Sequence, residues 1–162
     1  MTEVTHDPLY SLAHLTLINA TTPELIYIAD RAGYDAVSPR FIPMNVPGEF
    51  KQSPIDSQMI AATKIALKTT GIKVLDIELA RITEDCDPRN FDRALELGGE
   101  LGAKRMIMSA WTTDRNDRNF ILDCFSETCE IAYQYGLSVD LEFPSFSRLR
   151  TLDEALDIVR AA

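Results

Sequence analysis

A chain of 162 residues that is 46% hydrophobic has the apolar content of one globular domain and too much of it for a disordered or collagen-like polypeptide. Its 25 acidic against 16 basic residues leave a net charge of −9. That balance opposes a nucleic-acid backbone, because sequence-independent affinity for phosphates comes from Lys and Arg displacing counterions.

Cys86, Cys124 and Cys129 are an odd set of thiols, which excludes a disulfide framework and agrees with a reducing, cytoplasmic setting. No apolar run approaches the ~18 residues of a membrane span. Met1 to Tyr10 carries Glu3, His6 and Asp7 and reads as no signal peptide.

In chain order, Leu12 to Leu17 is the first predicted strand. Thr21, Thr22 and Pro23 then open a helix with Leu25, Ile28, Ala29 and Ala32 on one face. Asp35 to Phe41 is the second strand. The segment Phe41 to Pro54, with Pro43, Pro47 and Gly48, is the longest irregular stretch and a candidate lid. Ser53-Pro54 opens a second helix to about Thr69, with Met59, Ala62 and Ala66 facing in. Lys73 to Arg81 is the third strand, and Asp87-Pro88 opens a helix that buries Phe91, Ala94, Leu95 and Gly98. Arg105 to Ala110 is the fourth strand. After the charged run Thr112 to Asn119, a helix from Asp117 to Tyr135 aligns Ile121, Cys124, Phe125, Thr128 and Ala132. Ser138 to Phe143 is the fifth strand, and Thr151 precedes a last helix with Leu152, Ala155, Leu156 and Val159 on its stripe.

Gly33, Gly71, Gly102 and Gly136 each stand between a helical stretch and a strand, the place of a left-handed C-cap. Strict alternation of strand and helix implies an α/β fold with parallel pairing through right-handed crossovers. Two architectures fit five such units in a single domain over 1–162: a partial TIM-barrel-like (β/α) repeat, or a complete open five-stranded doubly wound sheet. Five eighths of a barrel of about 250 residues is about 156 residues, so length does not separate them.

Strand patterning favours the barrel. Leu75, Ile77 and Leu79 form one row and Asp76 and Glu78 the other; Leu137, Val139, Leu141 and Phe143 oppose Ser138, Asp140 and Glu142. An open sheet covered on both sides would bury these carboxylates at a cost of several kcal/mol, roughly, each. A barrel instead turns them toward a cleft at the C-terminal strand ends.

The segments Leu12-Ala13-His14-Leu15-Thr16, Ala32-Gly33-Tyr34-Asp35-Ala36-Val37, Val74-Leu75-Asp76-Ile77-Glu78, Leu101-Gly102-Ala103 and Val139-Asp140-Leu141-Glu142-Phe143 resemble the xylose isomerase-like TIM-barrel superfamily of sugar phosphate isomerases and epimerases, over its first five βα units. The resemblance implies a divalent metal, Mn, Mg or Zn, at the C-terminal face. Glu142 matches the strand-five glutamate that both ligates that metal and acts as acid or base in the family. The ligands from strands six to eight have no counterpart in this sequence. A hard cation prefers carboxylate oxygen and polarises a hydroxyketone, which agrees with that chemistry.

The remaining rim candidates are His14, Arg40, Glu78, Arg81 and Trp111, as contacts to a small-molecule sugar or sugar phosphate. Each has a plain structural alternative: a hydrogen-bonded interior histidine, an ion pair between Glu78 and Arg40 or Arg81, an indole packed under a loop. Asp76 and Asp140, about 7 Å deeper on their strands, read as structural. The expected function is a metal-dependent sugar or sugar phosphate isomerase or epimerase, incomplete and inactive as this chain alone. The alternatives are a dehydratase or lyase of a polyol or keto acid on the same barrel, and a non-catalytic half-barrel that forms a homodimer through exposed sheet edges.

Overall fold

The computed structural model describes residues 8–51, 53–113 and 118–162. Its elements alternate as expected: β1 (Ser11–Ala13), α1 (Thr22–Ala32), β2 (Ala36–Ser38), α2 (Ser57–Thr70), β3 (Lys73–Val74), β4 (Ile77–Ile82), α3 (Asp92–Glu100), β5 (Arg105–Ala110), α4 (Arg118–Gln134), β6 (Ser138–Glu142) and α5 (Leu152–Ala161). All strand pairs are parallel, in the orders β1-β2-β3 and β4-β5-β6, and a bridge between Arg40 and Glu78 links the two sheets. β3 and β4 are two halves of the single predicted third strand. The architecture is a partial barrel of five βα units, with β1 and β6 as its edges.

Local chemistry sets the helix limits. Thr21 and Glu24 form a reciprocal capping box at α1, and Thr151 and Glu154 repeat it at α5. Gly33 ends α1 with φ 79°, its N–H donating to the Ala29 and Asp30 carbonyls. The other three punctuating glycines also have positive φ.

One face of the sheet carries the core. Leu12, Val37, Val74, Ile77, Ala80, Ile82, Met106, Met108 and Ala110 are buried with Leu25, Ile26, Ala29, Leu95, Ile121, Phe125 and Ile158 of the helices. On β6, Ser138, Asp140 and Glu142 are exposed while Val139 and Leu141 are half-buried. Helices therefore cover β6 on one side only, which favours the barrel over the doubly wound sheet.

Several expectations are corrected. The first strand stops at Ala13, and His14–Leu17 is a turn of 3-10 helix, because the His14 ring is drawn into hydrogen bonds with the backbone at Ala20 and Arg40. The second helix begins at Ser57, not at Ser53-Pro54, since the Asp56 carboxylate caps the N–H groups of Gln58 and Met59. Its buried stripe contains Thr63 in place of Ala62, which is exposed; the Thr63 hydroxyl donates to the Met59 carbonyl at 2.8 Å and so enters the core already satisfied. Pro88–Phe91 is a 3-10 turn preceding α3.

The row Leu75, Ile77, Leu79 is only partly as predicted: Ile77 and Leu79 are buried, whereas Leu75 falls in the strand break and is half-buried. The strand is interrupted between Val74 and Ile77, and its register with β5 shifts between Ile77 and Ala80, so the core side chains are Val74, Ile77, Ala80 and Ile82. Ala32, Phe143, Leu152 and Val159 are exposed, not packed. Phe143 directly follows β6, and Leu152 and Val159 lie on α5; among the described residues no further element covers them. Residues 114–117, including the predicted start of the fourth helix at Asp117, lie outside the described residues.

Candidate functional site

The polar face of the sheet gathers charged side chains from four strands or their ends. Arg40 follows β2, Asp76 sits at the β3–β4 break, Glu78 and Arg81 stand on β4, and Asp140 and Glu142 on β6. Along β5 and β6, Ser109 pairs with Glu142 and Ile107 with Asp140. Parallel register places each such pair on the same face.

His14 is 2% exposed. Its Nδ1 accepts the Arg40 N–H at 2.9 Å, which makes Nε2 the protonated nitrogen, and Nε2–H donates to the Ala20 carbonyl at 2.8 Å. Burial above all, aided by the Arg40 charge and opposed by the Ala20 bond, holds its pKa below the usual imidazole value. Both ring nitrogens are committed to backbone, so the ring is a clasp between the first and second βα units.

Arg40 is 5% exposed and lies between two carboxylates: Nη2 is 3.5 Å from Glu78 Oε2, and Nη1 is 3.8 Å from Glu49 Oε1. Its Nε and Nη1 are buried with no hydrogen-bond partner among the described residues. Glu78 is oriented by the Leu15 N–H, which donates to Oε1 at 3.2 Å. Glu49 accepts from the Met44, Asn45 and Val46 N–H groups and folds the segment after β2 into a tight turn. Sequence reasoning missed Glu49, because nothing in its local pattern distinguishes a buried loop acid from a solvated one.

Arg81 donates from Nη2 to the Met44 carbonyl at 2.9 Å, and its guanidinium lies 5.4 Å from the Trp111 ring centre. The Trp111 N–H donates to Ser109 Oγ at 2.6 Å, and the ring meets Phe146 edge-to-face at 5.5 Å. The predicted rim residues thus form two clusters: His14, Arg40 and Glu78 in one, Arg81 and Trp111 in the other. A cavity of about 600 Å³ beside the second cluster is lined by Trp111, Thr112, Phe146, Arg148 and Arg150, of which only Trp111 was anticipated.

Glu142 is raised above the ordinary carboxylate range, first by partial burial and then by repulsion from Glu78 and Asp76. Asp76 is raised chiefly by burial, against a hydrogen bond from Ser38, with Glu78 and Asp140 adding repulsion; its Oδ1 has no hydrogen-bond partner among the described residues. A raised native pKa means that stability is present below the unfolded value and lost as pH rises through the native one. Asp76→Asn is therefore expected to stabilise the protein at pH 7 by about 1 kcal/mol, equivalent to about 2–4 °C in Tm. The gain should vanish by about pH 3, where an unperturbed aspartate is itself protonated. Thermal melts at the two pH values check this; an equal shift at both would contradict the electrostatic cause.

The acids concentrate negative charge without completing a metal site. Among the described residues, no group of three His, Cys, Asp or Glu could hold a metal ion. Glu142 offers one carboxylate of the kind that Mg²⁺ or Mn²⁺ takes as a ligand. The thiols play no part: burial pushes Cys86 up to about 12 and Cys129 up to about 11, and Cys124 is buried in the core.

No protein-family model matches the sequence, and no curated protein matches it. Solved structures do. The 3-keto-D-glucoside 4-epimerase YcjR from E. coli superposes with a TM-score of 0.70 at 18% identity, over 94% of this chain and 64% of that one. IolI with a bound zinc atom gives 0.69 at 21% identity, over 93% and 57%. A xylose isomerase-like TIM-barrel protein from Mycobacterium smegmatis, in complex with magnesium, gives 0.69 at 14% identity, over 99% and 62%.

The fold is that of part of a TIM barrel, as in these structures.

The chain spans less than two thirds of the length of these barrels. No described helix is long and apolar enough to cross a membrane.

Proposed function

We propose that these residues form the N-terminal part of a metal-dependent sugar or sugar phosphate isomerase or epimerase, whose cleft is completed by polypeptide beyond the five βα units present. The observation that carries the reading is the convergence of Asp76, Glu78 and Glu142 on the uncovered face of the sheet, where burial first and then the Glu78 charge disfavour ionisation of Asp76 and of Glu142. Evolution tolerates such repulsion at sites where a cation or a transferred proton relieves it. That one structural neighbour is a sugar epimerase and that two others hold a bound metal supports the same reading.

In this reading Glu142 is both the metal ligand and the acid or base, and Glu78, Arg40, Arg81 and Trp111 surround the substrate. His14 serves them indirectly, by holding the Arg40 backbone. A divalent ion would polarise the substrate oxygens, and its other ligands would come from outside the described residues.

The test is a Mn²⁺ titration of the 162-residue chain followed by NMR. Broadening should centre on the amides around Glu142, and Glu142→Gln should weaken it at least about tenfold, the loss that even an outer-shell partner causes. Broadening that is unchanged in the variant would remove Glu142 from the site.

A further inference from the structure

We propose that the cleft between the two sheets at the N-terminal ends of the strands, the end opposite Glu78 and Glu142, binds an aliphatic monocarboxylate, with the hydrocarbon chain between the sheets and the carboxylate held by Lys73 and Lys104. The site follows from the break in the third predicted strand. Toward the C-terminal ends the two sheets are joined by the bridge between Arg40 and Glu78 and by the Glu78 N–H, which donates to the Pro39 carbonyl at 3.1 Å. At the N-terminal ends β3 pairs with β2 alone, and β4 begins only at Ile77, opposite Met106 of β5. Lys73 to Leu75 on one lip and Lys104 and Arg105 on the other are therefore left apart, and a cavity of about 410 Å³ opens between them. That volume falls within the range of about 300–1,000 Å³ found for small-ligand sites.

The chemistry of the lining selects the ligand. Leu67, Ile72, Val74 and Leu101 form the walls, and among the described residues that line the cavity there is no aromatic ring and no carboxylate. Such walls take a hydrocarbon and offer a sugar no ring to stack on. Lys73, Lys104 and Arg105 line the same cavity and are exposed, three cations together in a chain of net charge −9. The neighbouring acids are engaged elsewhere: Asp140 Oδ2 stands 3.7 Å from Arg105 Nη1, and the Asp35 carboxylate accepts the Tyr10 N–H at 2.9 Å. Among the described residues neither lysine side chain has a hydrogen bond or an ion pair. A monocarboxylate brings one negative charge to these two ammonium groups and lays its chain against the walls. An anion without a chain would leave the walls wet, and a cation with one would meet like charge at the mouth.

An NMR titration of the 162-residue chain with octanoate tests this. Amide shifts should saturate, centre on residues 72–75 and 101–105, and spare Glu78 and Glu142. Hexanoate, two methylenes shorter, should bind at least about threefold more weakly, because each buried methylene contributes up to about fourfold. Acetate lacks the chain and octylammonium reverses the charge, and each should bind at least about tenfold more weakly than octanoate. Lys73→Glu and Lys104→Glu should each weaken octanoate at least about threefold and narrow its advantage over octylammonium. Lys51→Glu makes the same change in net charge on the segment after β2 and should leave the affinity within about twofold. All three lysines are exposed, and amide spectra confirm that the variants remain folded. Shifts that do not saturate or that centre on Glu142, octylammonium or acetate binding as tightly as octanoate, or lysine reversals that cost no more than Lys51→Glu would overturn the proposal. The Mn²⁺ titration reads the opposite end of the strands, so either proposal can fail while the other stands.

Discussion

His14→Ala should destabilise the fold by about 3–5 kcal/mol, the largest effect expected of any single substitution here. The imidazole satisfies two buried backbone groups, the Arg40 N–H and the Ala20 carbonyl. Removing it orphans both, at about 1–3 kcal/mol each, and leaves a cavity where a side chain of 2% exposure stood. The pH dependence has a definite sign. Because burial lowers the native pKa below 6.5, the clasp contributes fully above that value and is lost as pH falls through the native pKa. Urea unfolding at several pH values between about 7 and 5 should show stability declining in the parent chain with a slope that the variant lacks. A loss under about 1 kcal/mol at pH 7 would mean that the clasp does not hold the two units together.

Gly99→Ala should cost about 1–3 kcal/mol, although alanine is the better helix former by about 1 kcal/mol. A Cβ built on Gly99 of α3 would lie 2.6 Å from the Tyr135 carbonyl oxygen, and backbone at the end of α4 cannot retreat as a side-chain tip can. Gly98 is the internal control. Its Cβ would meet Ile77 Cδ1 at 3.0 Å, a flexible side-chain end, so Gly98→Ala should be much closer to neutral. Thermal melts of both variants decide the matter: the prediction fails if Gly99→Ala melts at or above the parent temperature.

The two substitutions also mark what the sequence makes legible. Gly98 is visible in advance as part of an inward helical stripe; Gly99 is not, because its constraint comes from Tyr135, a residue brought to it only by the packing of α3 on α4. His14 is identifiable as a lone histidine on an apolar strand, and both readings of it are available from sequence. Choosing between them requires knowing that Ala20 and Arg40 lie on opposite sides of the ring. Glu142 is the reverse case. Its place at the end of a strand follows from period-two alternation alone, and the structure adds the repulsion from Glu78 and Asp76 that makes the position chemically distinctive.

By itself, the sequence determines the alternation of strand and helix, the glycine and Thr–Glu caps that delimit the helices, and the acidic character of one sheet face. These rest on interactions within a few residues and on periodicity, which short stretches of chain carry complete. The tertiary structure alone decides the break at Leu75-Asp76, the burial of Arg40 between Glu49 and Glu78, and the commitment of His14 to backbone. Each of these depends on groups from separate segments meeting at a buried point, where unpaired polar atoms are costly and the geometry of the partners selects the outcome.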